Sequence, residues 1–218
     1  MSYDGTITTT QPDPNLVETF THEDGSKTFI VLDTDPELSN PRDFENAGTM
    51  VTPHRRYTLG DESTSGEIPG YSEALRAMEH YANRPKAVEH VVRYLRIFVG
   101  ATVVLPVGLI DHSGLSMYAS AGPHWSDPGG WDSGTIGFIF DTPKGRELAG
   151  FTTDETEGIT EVLRGEVSVY DQYLRGEVYG FHHVMPDGTE EDVWGLLGYD
   201  SLANIAREAT DSPITEGE

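Results

Sequence analysis

Hydrophobic and polar positions along the chain alternate in two different periods, and the switches between them outline the elements. Thr28–Leu32 is a short apolar β run, and Thr49–Thr52 reads as a second strand. Between them, Asp35-Pro36 and Asn40-Pro41 mark turns. From Tyr71 to Asn83 the spacing becomes helical, with Leu75, Met78 and Tyr81 on one face and Ser72 as the expected N-cap. Pro85 suits the first residue of another helix running to Val99, where Val88, Val91, Val92, Leu95 and Phe98 line one side. Ala101–Leu109, Leu115–Ala119 and Gly134–Phe140 read as strands, the first bent at Pro106. Thr153 opens a long helix to Arg175 with apolar positions at Ile159, Val162, Leu163, Val167 and Tyr170. Glu177–Met185 and Glu190–Tyr199 flank Pro186-Asp187-Gly188, a hairpin signal. A last helix is expected over Ser201–Ala209.

Strands and helices mix without regular βαβ alternation. This predicts an α+β fold with a mixed or antiparallel sheet and three to four helices. The expected organisation is a flexible tail over 1–27, one domain over 28–209, and an acidic tail over 210–218.

Charge changes the picture more than any motif. Asp and Glu number 37 against 14 Lys and Arg, for a formal net charge of −23. Only Lys27, Lys86 and Lys144 are lysines; the other basic residues are arginines. Such a charge strains a compact fold through self-repulsion in dilute buffer. At about 1 M salt the Debye length is only about 3 Å, and the repulsion is screened. A nucleic-acid mimic needs acids but has no reason to shed lysine. Scarce lysine and acids spread along the whole chain therefore favour adaptation to a salty cytoplasm over mimicry. The chain has no cysteine, so thiol chemistry is excluded. Met1–Val17 lacks a signal-peptide pattern, and no apolar run reaches the ~20 residues of a membrane span. The expectation is a soluble protein of a high-salt host cytoplasm, with a place in a virion left open. No basic patch suggests nucleic-acid binding, and no membrane association is expected.

Candidate chemistry lies in a few clusters. Asp111-His112-Ser113-Gly114 offers a carboxylate, an imidazole and a hydroxyl in one turn, although sequence neighbours cannot form a relay by themselves. Its plainer reading is a tight turn in which Asp and Ser bond their own backbone. The stretch from His124 to Gly134 holds Trp125, Trp131, Asp132 and Ser133 among glycine and proline breakers. Its indoles either wall a ligand site or plug the core. His54-Arg55-Arg56-Tyr57 is the one basic cluster, suited either to an acidic partner or to neutralising nearby carboxylates such as Asp43, Glu45 and Asp61. Glu166 falls on the apolar face of the long helix and needs a partner there, with Arg55, Arg56 or a tyrosine hydroxyl as candidates. A perturbed carboxylate of this kind is also how a general base would look, although the plainer reading is an ordinary glutamate at the helix edge. Asp111, His112, His124 and Asp132 could assemble a metal site, but no recognised ligand spacing supports one. His182 and His183 are strand neighbours, so at most one could join a site formed on one face. No pattern specifies a cofactor or an oligomeric state.

Four stretches together carry a resemblance. They are Asn40–Asn46 running to His54–Asp61, Asp111–Gly114, Trp131–Ile139 and Tyr170–Phe181. In order and flavour, from about residue 40 to 200, the chain resembles an uncharacterised family of hypothetical proteins carried by tailed phages and plasmids. It departs from that pattern at Phe44, where tryptophan would be expected, and at Thr52-Pro53, where cysteine and an aromatic would be. Ser63–Arg93 looks particular to this chain. The family brings no activity to carry over. The resemblance implies a viral or mobile-element context and motif residues that meet in the fold.

The leading expectation is a haloarchaeal viral accessory protein that binds a host or viral protein. Its platform would comprise His54, Arg55, Arg56, Tyr57, Ser113, Trp125, Trp131 and Ser133. The alternatives are a small hydrolase using Asp111, His112, Asp132 and Glu166, and a structural component of the virion.

Overall fold

A computed structural model describes residues 14–34, 40–62, 68–199 and 202. The fold is α+β, with two antiparallel four-stranded sheets. The chain divides into two compact units, one from the residues up to 39 together with those from 176 onward, the other from residues 40–175. This division differs from the expected single domain over 28–209. It arises because the last hairpin pairs with the first strands rather than with the central sheet.

The first unit is the sheet β1-β2-β7-β8, built from β1 (Leu16–Thr21), β2 (Lys27–Leu32), β7 (Val178–Val184) and β8 (Glu190–Leu197). β1 lies inside the segment expected to be a tail. Its alternation Leu16, Glu18, Phe20 is short and flanked by polar residues, but pairing with β2 holds it. The turn to β2 is closed by Asp24, whose carboxylate accepts from the Ser26 amide at 2.8 Å and its hydroxyl at 2.7 Å. Ile30 and Leu202 are fully buried, with Phe20, Tyr179, Phe181, Leu196 and Tyr199 around them. Apart from Leu202, the helix expected over Ser201–Ala209 lies outside the described residues, as does the acidic tail.

The second unit carries the sheet β3-β6-β4-β5, from β3 (Gly48–Val51), β4 (Val104–Asp111), β5 (Leu115–Tyr118) and β6 (Ser133–Asp141). Successive side chains on a strand point to opposite faces, and here both faces are covered. Val51, Val104, Phe138 and Phe140 meet the helical hairpin of α1 (Tyr71–Tyr81) and α2 (Ala87–Phe98). Met50, Val107, Leu109 and Ile139 meet α4 (Thr156–Leu174) through Ile159, Leu163 and Val167. Full burial of each such side chain contributes about 1.5–3 kcal/mol. The bend expected at Pro106 is a bulge one residue on: Val107 pairs with Gly137 but Gly108 with Thr135, which leaves Ile136 as the extra residue.

Two helix starts move from their expected places. Ala74 donates to the Gly70 carbonyl, so α1 begins one residue before Ser72 with Gly70 in the left-handed region at φ 78°. Pro85 sits in the inter-helix turn, and α2 begins at Ala87 after a left-handed Lys86. A short helix, α3 (Pro143–Leu148), is capped by the Thr142 hydroxyl, which accepts from the Gly145 amide. None of the described helices is long and apolar enough to cross a membrane.

Candidate functional site

The expected site residues separate into an exposed loop surface and a buried ion-pair network. Glu166 belongs to the second. Its carboxylate accepts from the amides of Ala47 at 2.8 Å and Gly48 at 3.1 Å, and from Arg42 Nη1 at 2.9 Å. The Arg42 side chain is 2% exposed. It also donates through Nε to Asp61 at 2.7 Å and through Nη2 to the Gly48 carbonyl at 2.7 Å. Burial works against the guanidinium charge, but Asp61 and Glu166 outweigh it and raise the pKa of Arg42. Gly48 has no room for a side chain, because a Cβ there would lie 2.5 Å from Leu163 and 2.9 Å from the Glu166 carboxylate.

The partner of Glu166 is therefore Arg42, not Arg55, Arg56 or a tyrosine. Asn40 caps the turn Pro41–Asp43, its side chain accepting from the Arg42 amide at 3.0 Å, and Arg42 extends from this turn to the carboxylates. A carboxylate bonded on both oxygens beneath β3 is a structural clamp. It does not join Asp111, His112 and Asp132, so the four residues considered catalytic are not one constellation.

The other three do meet. At the end of β4, Asp111 is ion-paired with Arg56 and accepts from the Tyr57 hydroxyl at 3.2 Å. Its amide donates to the Asp132 carbonyl at 2.8 Å, and His112 Nδ1 lies 3.0 Å from the Asp132 carboxylate. His54 stacks on Tyr57 at 5.1 Å, with the rings within 4° of parallel, and the Arg56 guanidinium lies over the same Tyr57 ring, 5.3 Å from its centroid. The Asp111 carboxylate thus reaches across to the His54–Tyr57 loop instead of bonding its own turn. Ser113 sits at the apex with φ 58°. Arg55 is exposed.

The tryptophan loop is held open. Asp127 accepts from the Asp132 amide at 2.9 Å and the Ser133 hydroxyl at 2.9 Å, while the His124 amide donates to Ser133 Oγ at 3.0 Å. The hydrogen bond from the Asp132 backbone lowers the Asp127 pKa, aided by Ser133. Farther back, Tyr118 donates to the Gly122 carbonyl at 2.7 Å and the Gly122 amide to Thr135 Oγ1 at 2.8 Å. A Cβ at Gly129 would lie 2.6 Å from the Trp131 ring, so a side chain there would make the indole shift. The result is that Trp125 is 83% exposed and Trp131 90%. The indoles are not core plugs.

His112 and Asp132 are both in water, and the Ser133 hydroxyl, the hydroxyl nearest in the chain to Asp132, is turned to Asp127. Among the described residues no group of three or more His, Asp or Glu could hold a metal ion. His182 and His183 divide as strand neighbours must: His182 pairs with Asp192, and His183 Nδ1 shares the Thr28 hydroxyl, at 2.8 Å, with His22 Nε2 at 2.7 Å. Burial and the neighbouring His183 lower the pKa of His22. No family model matches the chain, and no curated protein or solved structure matches it either.

Proposed function

We propose that this is a binding protein of a haloarchaeal virus or mobile element. It would engage a host or viral protein through the surface formed by His54–Tyr57, Asp111–Ser113 and Trp125–Ser133. The observation that carries this reading is the exposure of Trp125 and Trp131 on a loop pinned by at least four hydrogen bonds. A rigid loop that presents two indoles to water holds apolar area of high value to a partner. It loses little conformational entropy on binding. Trp, Tyr and Arg are the residues that dominate binding hot spots, and Arg56 and Tyr57 contact Asp111, whose amide bonds the Asp132 carbonyl of this loop. The motif resemblance supports the viral context, and the acidic, lysine-poor composition supports the salty one.

Affinity capture from infected and uninfected haloarchaeal cells in molar KCl should recover one protein in stoichiometric amount. Capture of nothing above background from either source would sink the reading. Mass spectrometry of purified virions separates the structural-component alternative, since an accessory protein should be absent from particles.

The hydrolase alternative retains one favourable observation, the His112–Asp132 contact at 3.0 Å. Among the described residues no side-chain hydroxyl is hydrogen-bonded to that pair.

The salt reading has its own test. The melting temperature should fall steadily as KCl is lowered from molar to millimolar concentrations, because the net charge of −23 is then unscreened. A melting temperature that stays constant across that range would return the acidity to a functional role.

A further inference from the structure

Where the helical hairpin meets the far end of β6, the two elements diverge and leave an open apolar cavity of about 480 Å³. Its walls are Leu75 and Met78 of α1, Val88 and Val91 of α2, and Ile136 and Phe138 of β6. The cause is visible in the strands. β3 pairs with β6 only over Phe138–Asp141. Pro53, which cannot donate to a ladder, follows soon after Val51 and also lines the cavity. The bulge at Ile136 then turns β6 at the same level. Sheet and hairpin therefore part company there, and partly buried apolar side chains face a space rather than each other.

We infer that this cavity is a binding site for a hydrocarbon-rich small molecule that is neutral or cationic, and not for an anion. The volume falls within the roughly 300–1,000 Å³ of ordinary small-molecule sites, whose walls are likewise mostly apolar with a few polar groups. Three polar side chains lie on the lining, those of Glu79, Tyr81 and Thr135. Glu79 is its one charged residue, an acceptor that favours a donor or a cation. Thr135 Oγ1 accepts from the Gly122 amide, so its own proton is free to donate. Met78 gives the wall a flexible, polarisable side chain that adapts to shape. An anion would have to shed its water against apolar walls beside Glu79, a desolvation cost that salt does not screen. The inference is independent of the tryptophan surface, since none of the side chains named for that surface lines the cavity.

The test uses two probes with one skeleton. N-phenyl-1-naphthylamine is neutral and carries an N–H donor; 1-anilinonaphthalene-8-sulfonate adds a sulfonate. In molar KCl the neutral probe should bind the full-length protein saturably at one site, and the sulfonate at least about tenfold more weakly. Ala87→Trp fills the mouth of the cavity and should abolish binding. Val88→Glu places a carboxylate inside it, in the first turn of α2 where the helix dipole favours an acid, and should do the same. Saturating neutral probe should slow amide exchange in residues 75–91 and 135–138, a readout that needs no variant. The inference is overturned if the neutral probe does not saturate, if both probes bind alike, if folded Ala87→Trp or Val88→Glu still binds, or if the protected amides lie elsewhere.

Discussion

Arg42→Ala should destabilise the second unit by about 3–5 kcal/mol, the cost of removing one partner from a buried ion pair. The guanidinium is 2% exposed and serves three acceptors: Asp61, Glu166 and the Gly48 carbonyl. Its removal leaves two carboxylates facing each other without a counter-charge. Neither is free to turn to water, because Asp61 also accepts from the Met50 amide at 2.9 Å and Glu166 from the Ala47 and Gly48 amides. Arg42→Lys should recover only part of the loss. A point charge cannot reach three acceptors arranged for a planar fork. Urea unfolding in molar KCl measures this, and a loss below about 1 kcal/mol for Arg42→Ala would show that the network is ordinary surface pairing.

Asp141→Ala should cost a similar amount, about 3–5 kcal/mol, for a related reason at the C-terminal end of β6. Asp141 has 0% exposure. One of its oxygens accepts from the Thr102 amide at 2.9 Å and the Val103 amide at 2.6 Å. The other accepts from the Thr102 hydroxyl at 2.8 Å and from Arg146, which also donates to the Gly100 carbonyl. Four donors converge on one carboxylate, so each becomes unsatisfied when it is removed. Asp141→Asn should be nearly as damaging as Asp141→Ala, within about 1 kcal/mol, because its amide would turn donor hydrogens toward Arg146 or toward the backbone amides. If the asparagine variant unfolds at the same urea concentration as the wild type, the charge at this position is dispensable and the clamp is misread.

Both networks show what the sequence disclosed and what it did not. Every strand and helix with a clear period was legible, because burial on one face leaves a pattern of two or of 3.6. β1 escaped because its alternation is interrupted by polar residues and its stability comes from β2, which lies across a turn. α3 escaped because Gly145 sits in its middle and one turn of helix leaves no periodicity. The division into two units was invisible because it depends on which strands pair, and pairing is a long-range choice that local pattern does not encode.

At the site, Asp111, His112 and Asp132 stood out as unusual residues, and the fold brings them together. Glu166 stood out for a sound physical reason, a carboxylate on an apolar face, and it does have a partner there, the Arg42 guanidinium. Which arginine answered it was not legible. Arg42 is 124 residues away, and nothing local distinguishes it from Arg55 or Arg56. Asp141 and Arg146 drew no attention, since an Asp at the end of a strand usually reaches water. The two tryptophans were balanced between core and surface because composition cannot decide exposure. The hydrogen bonds of Asp127 with Asp132 and Ser133 decide it, by fixing the loop in a conformation that leaves both indoles exposed.

That loop is the proposed recognition surface. The most direct test compares the wild type with the Trp125→Ala/Trp131→Ala double variant in affinity capture from infected cells in molar KCl, with thermal unfolding measured alongside. Because both indoles are exposed, the variant should melt within a few degrees of the wild type, while the captured protein falls at least about tenfold, as expected when hot-spot side chains are truncated. Equal capture by an equally stable variant would contradict the account.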